Sequence, residues 1–112
     1  MGAFVRDDVV RARPHERVKD VRQRVEESPY GFALVVAGDG TLVGRLRRKA
    51  LEEQHDRTAA DAMEEGPSTV RFDGDPEELA EKLRDRDLRT AIVTDPDGRL
   101  FGVVTRKDLE GA

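Results

Sequence analysis

Apolar residues fall along this chain in short bursts of two different spacings. Val9 to Arg13 alternates weakly and predicts a short strand closed by Pro14. From Arg17 to Glu27 the residues Val18, Val21 and Val25 recur at helical spacing among charges, and Ser28-Pro29 ends that one-faced helix. The apolar runs Phe32 to Val36 and Thr41 to Leu46 flank Gly38-Asp39-Gly40, the chemistry of a hairpin turn. Arg47 to His55 resumes a helical pattern. Arg57 to Glu65 predicts another short helix, capped by Thr58 with Asp61 and stopped by Gly66-Pro67.

The remainder repeats this order. Ser68 to Phe72 predicts a strand, and Asp75-Pro76-Glu77-Glu78 starts a helix with a cap, an N1 proline and an acidic first turn. Leu79, Ala80 and Leu83 form its apolar face. Ala91 to Thr94, the turn Asp95-Pro96-Asp97-Gly98 and Leu100 to Val104 rebuild the hairpin, and a helix follows from Thr105. Sliding the chain on itself by 58 residues (102 − 44) aligns the halves without a gap: Val21 falls on Leu79, Val35 on Val93, Asp39-Gly40 on Asp97-Gly98, Gly44 on Gly102 and Leu51 on Leu109. Each half is one strand-helix-strand-strand-helix unit, too small to bury its own sheet. The expected fold is α/β in the α+β sense: two pseudo-twofold-related β-α-β-β-α repeats, with repeat 1 over 4–53, a connecting helix over 54–67 and repeat 2 over 68–112.

Composition narrows the chemistry. With 112 residues, 37% hydrophobic and 39% charged, the core is small and the surface heavily ionised. Such a chain gains by burying a face against a second copy, so a homodimer is expected. The absence of Cys removes disulfides, thiolate metal sites and a cysteine nucleophile. The start, Met1 to Asp8, has no apolar segment long enough for a secretory signal, and no run approaches a membrane span, which gives a cytoplasmic expectation. The net charge of −4 argues against bulk nucleic-acid binding. His15 and His55 are isolated, Asp73, Asp75, Glu77 and Glu78 are better explained by capping than by calcium, and no nucleophile and base pair can be named. Neither a metal site nor an enzyme is expected.

Three series, Thr58-Ala59-Ala60-Asp61-Ala62-Met63, Gly66-Pro67-Ser68-Thr69-Val70 and Gly102-Val103-Val104-Thr105-Arg106-Lys107-Asp108-Leu109, together with Ala91 to Asp95, resemble the tandem cystathionine-β-synthase (CBS) domain pair, or Bateman module. The first repeat matches less well and lacks the helix that usually precedes the first strand. The resemblance implies a regulatory, energy-sensing module with two pseudo-symmetric clefts between the repeats. Each would take an adenosyl ligand: AMP, ADP, ATP or S-adenosylmethionine.

By that resemblance, Thr105 and Asp108 match the ribose-phosphate grip, with Val103 and Lys107 beside them. The base clamp would come from Val9, Val10, Arg11, Tyr30, Gly31 and Phe32. Thr105 with Asp108 is equally the signature of a capped helix. Their aligned residues are Arg47 and Ala50, however, so the scaffold does not require Thr and Asp at that junction. The first-repeat site is thus degenerate for nucleosides, since Ala50 cannot accept a sugar hydroxyl. For Tyr30, adenine stacking competes with a place on the rim of the core. Arg45, Arg47, Arg48 and Lys49 are either a solvated face held by acids or a secondary anion patch. Two other functions remain open: a ligand-free dimerisation scaffold, possible with a protein partner, and a nucleic-acid or polyanion binder acting through Arg45 to Lys49.

Overall fold

The computed structural model describes residues 2–111, which divide into two compact units, one of residues 8–67 and one that joins residues 2–7 to 68–111. The fold is mixed α and β with a separate sheet in each unit.

In the first unit, β1 (Val10–Ala12) lies parallel to β2 (Ala33–Val36), which forms an antiparallel hairpin with β3 (Leu42–Leu46). Between β1 and β2 runs α1 (Val18–Glu26), whose buried residues are the three valines that the periodicity marked. Its N-cap residue Arg17 supplies no side-chain cap. The free N–H groups are met instead by carbonyls from distant sequence, Val18 on Arg57 at 2.9 Å and Lys19 on His55 at 3.3 Å. α2 (Arg48–Glu53) follows β3 and buries Leu51. Ala12, Val18, Val21, Ala33, Val35, Leu46, Leu51 and Ala59 make the core.

The third helix is shorter than its sequence predicts. The helix placed over 57–65 is the single turn α3 (Ala59–Ala62), with Thr58 accepting from the Asp61 N–H at 3.3 Å as its cap. Met63 is extended, and β4 (Glu64–Glu65) joins the sheet antiparallel to β3. Ala59 is fully buried in the core, and the helix ends after Ala62 where Glu64 and Glu65 pair with the edge of β3.

The second unit repeats the plan with β5 (Thr69–Arg71), α4 (Pro76–Asp85), β6 (Thr90–Thr94), β7 (Leu100–Thr105) and α5 (Arg106–Glu110). Asp75 caps α4 by accepting the Glu77 N–H at 2.9 Å. The 58-residue offset reaches into the hairpin register: Val35 faces Gly44 and Val93 faces Gly102, and each hairpin carries an irregularity at the next residue, Val36 or Thr94. Gly40 and Gly98 both sit at positive φ, 91° and 86°, in the turns. Leu79, Ala80, Leu83, Val93, Val104 and Leu109 form this core, with Phe4 and Val5 packed against it. Residues 2–7 thus act as an arm on the second unit, with a short 3-10 turn at Gly2–Phe4.

Candidate functional site

Thr105 ends β7 with an extended backbone and caps α5, its Oγ1 accepting the Asp108 N–H at 3.1 Å. That contact fixes the first turn of α5 and leaves the Asp108 carboxylate pointing away from the helix. There it meets the arm. Arg6 Nε donates to Asp108 Oδ2 at 2.5 Å and Arg6 Nη2 donates to Oδ1 at 2.9 Å, a two-pronged guanidinium-carboxylate pair. The Arg6 side chain remains half exposed and that of Asp108 about one quarter exposed.

The arm is placed by the backbone. Arg6 N–H donates to the Val103 carbonyl at 2.7 Å and Val103 N–H returns a bond to the Arg6 carbonyl at 2.9 Å, so one residue of the arm is stitched to β7. This approach depends on Gly102, because a Cβ there would fall inside the van der Waals radius of the Arg6 carbonyl oxygen. Between arm and helix lies a groove of about 490 Å³ lined by Ala3, Phe4, Val5, Arg6, Lys107, Asp108 and Gly111. Its volume is within the range of small-ligand sites, roughly 300–1,000 Å³.

The same junction in the first unit has opposite charges. β4 takes the place of the arm, with Glu64 paired to Arg45 as Arg6 is paired to Val103. Glu64 Oε1 accepts from Arg45 Nη2 at 2.9 Å and Oε2 from Arg47 Nε at 2.8 Å. Arg45 Nε is buried without a hydrogen-bond partner. Ala50, in the position equivalent to Asp108, packs against the apolar core. Two of the four cations in the predicted patch are therefore matched by one carboxylate of their own unit, while the Arg48 guanidinium lies beside Gly31. Gly44 makes room for the crossing chain here as well, against the Met63 side chain.

The remaining predicted residues divide between the units. Val103 is fully buried, and Lys107 is exposed on the groove wall. In the first unit Val9 is buried, Val10 pairs with Ala33, and Arg11 is exposed on β1. Tyr30 and Phe32 approach with ring centroids 6.1 Å apart and tilted by 47°, and Tyr30 Oη donates to Asp8 Oδ1 at 2.5 Å. Gly31 between them has φ 75°. Arg6 was missed by sequence reasoning. The same slide by 58 residues sets Arg6 on Glu64 and Val103 on Arg45, and a search for exchanged charges between the aligned halves would have found it.

Both junction acids are held below their ordinary values. The Arg6 guanidinium lowers Asp108 from 3.8, with the Thr105 hydroxyl helping, and hydrogen bonds from Arg45 and Arg47 lower Glu64 from 4.5. Because the folded values lie below the unfolded ones, each pair stabilises fully above the ordinary carboxylate range. That contribution is lost as pH falls through the lowered values. The urea midpoint should therefore drop below about pH 4 less steeply for Arg6→Ala than for the parent. Parallel curves for the two proteins would show that Arg6 carries none of the acid sensitivity.

The CBS domain pattern matches residues 1–53 and again 59–112. The chain belongs to the CBS domain family. With two copies in tandem it is a Bateman module, and solved CBS-pair structures share its fold. It is 29% identical to the cytosolic domain of the Mg2+ channel MgtE solved with ATP, with a TM-score of 0.83 over 96% of this chain and 46% of that one. CBSX2 solved with AMP gives a TM-score of 0.84 at 24% identity, over 98% of this chain and 92% of that one, a likeness of fold. An uncharacterized protein of Methanopyrus kandleri is 23% identical over 97% of this chain, which spans only 60% of that relative's length. Among the described residues no helix is long and apolar enough to cross a membrane.

Proposed function

We propose that this Bateman module is a non-enzymatic regulatory unit that binds an adenine nucleotide through Thr105 and Asp108. The observation that carries the reading is the contrast at one repeated junction. Asp108, on the turn that Thr105 caps, presents a carboxylate on the wall of a groove of about 490 Å³, whereas Ala50, on the turn that follows Arg47, presents none. A carboxylate is an acceptor for both hydroxyls of a ribose, and Lys107 on the same wall supplies positive charge for phosphate. MgtE and CBSX2, which share the fold, were solved with ATP and AMP. Those ligands support a nucleotide over S-adenosylmethionine as the ligand proposed for this chain.

Calorimetry with AMP, ATP and S-adenosylmethionine tests the proposal. Asp108→Ala should weaken nucleotide binding roughly 10- to 100-fold, since a hydrogen bond to a charged group contributes about 1.5–3 kcal/mol and about 1.4 kcal/mol is tenfold. Equal affinity in parent and variant would remove the reading. A tight dimer, indifferent to every adenosyl compound, would replace it with a ligand-free scaffold.

A further inference from the structure

The groove's acid already has a partner. We infer that Arg6 is a tethered competitor for Asp108, so that a ligand's cis-diol gains the carboxylate only as the Arg6 fork leaves it. The inference rests on reading Asp108 as the ribose acid.

Three observations carry it. First, the Arg6 fork uses both oxygens, Nε on Oδ2 and Nη2 on Oδ1, the same two acceptors that a cis-diol would grip in two-pronged fashion. Second, the Asp108 N–H is held by Thr105 Oγ1 at 3.1 Å, which fixes the helix turn from which the carboxylate reaches both the fork and the groove. Third, the competitor is held locally. One residue of the arm pairs with β7, Phe4 and Val5 rest on the second unit's core, and Arg6 itself lines the groove. A group delivered on a short tether competes at a high effective concentration, so even an exposed ion pair is felt by an incoming neutral diol. The Arg6 side chain is half exposed, which leaves it room to swing off without breaking the core. Occupancy of the groove is thereby coupled to the position of residues 2–7, which run directly into Asp8 and the first unit.

Adenosine is the discriminating probe because it carries the diol and no phosphate. Arg6→Ala should bind adenosine about two- to fivefold more tightly than the parent, the range expected for removal of an exposed ion pair. Arg6→Lys, which keeps the charge but loses the fork, should fall between them. In the parent, adenosine affinity should rise with added salt, which screens the pair that the diol must displace. Hydrogen exchange at the Arg6 and Val103 amides should quicken when adenosine is bound. Unchanged or weaker adenosine binding by Arg6→Ala, with Asp108→Ala still losing AMP, would overturn the competitor and leave the nucleotide site standing. Loss of AMP but not adenosine binding in Arg6→Ala would make Arg6 a phosphate contact instead. Failure of parent and Arg6→Ala alike to bind either compound would sink the nucleotide reading, and the competitor with it.

Discussion

Alanine at Leu46 is expected to cost about 2–5 kcal/mol, a large part of the roughly 5–15 kcal/mol that holds a small protein folded. Leu46 is fully buried at the end of β3, opposite Ala33, in a core shared with the helix residues Val18, Val21 and Leu51 and the sheet residue Val35. Two of its surroundings, Ala33 and Ala59, have nothing further to offer, since a methyl group cannot extend to refill the space. The penalty therefore includes most of the cavity term as well as the lost transfer energy. The melting temperature should fall on the order of 10 to 20 °C. Leu42→Ala, at a half-buried position of the same strand, should fall much less. Comparable losses at the two positions would mean that the first unit is loosely packed around β3, contrary to its burial.

Gly102→Ala is the second change with a large expected effect. The added methyl would overlap the Arg6 carbonyl oxygen and stand 2.9 Å from its carbon, and both are backbone atoms tied to Val103. Neither can move without undoing the stitch between arm and β7. The cost should reach about 3 kcal/mol, the upper part of the range for overpacking. Relief would come by detachment of residues 2–7. Amides at Arg6 and Val103 should then lose protection from exchange, and the Arg6 pair with Asp108 should be lost. Gly44→Ala offers the internal comparison. There the methyl would meet chiefly the Met63 side chain, with Cγ at 2.8 Å, and a flexible thioether can swing aside, while the nearest backbone atom, the Glu64 carbonyl oxygen, stands at 3.0 Å and need yield only slightly. Greater destabilisation by Gly44→Ala than by Gly102→Ala would contradict this account.

Much of the fold was legible in the sequence because its repeat is written twice. Val18, Val21 and Val25 announced α1, Asp75-Pro76 announced the start of α4, and the shared Asp-Gly turns fixed both hairpins. The 58-residue offset even held for the irregularity after Val35 and Val93. The extent of α3 was not legible. Thr58 to Glu65 has good helix propensity and a proper cap, yet after Ala62 the sheet edge of β3 offers Glu64 and Glu65 a backbone partner and Arg45 and Arg47 a charge. Tertiary pairing outweighed local preference there. At the candidate site, Thr105 and Asp108 stood out by contrast with Arg47 and Ala50. Arg6 did not, because its own neighbours carry no mark of a partner 102 positions away; only the alignment of the halves, which sets it on Glu64, singles it out.

The opposite charges at the two junctions also make an address label. The arm that brings Arg6 fits the edge bearing Asp108, and the strand that brings Glu64 fits the edge bearing Arg45 and Arg47. Exchanged, Arg6 would face two arginines and Glu64 would face an aspartate, and each misplacement would set like charges together. A duplicated fold offers its segments two nearly identical docking edges, an ambiguity that hydrophobic pattern cannot resolve because the pattern is the same in both halves. A single sign reversal removes it. Arg6→Glu combined with Glu64→Arg would rewrite the label and leave every apolar position untouched.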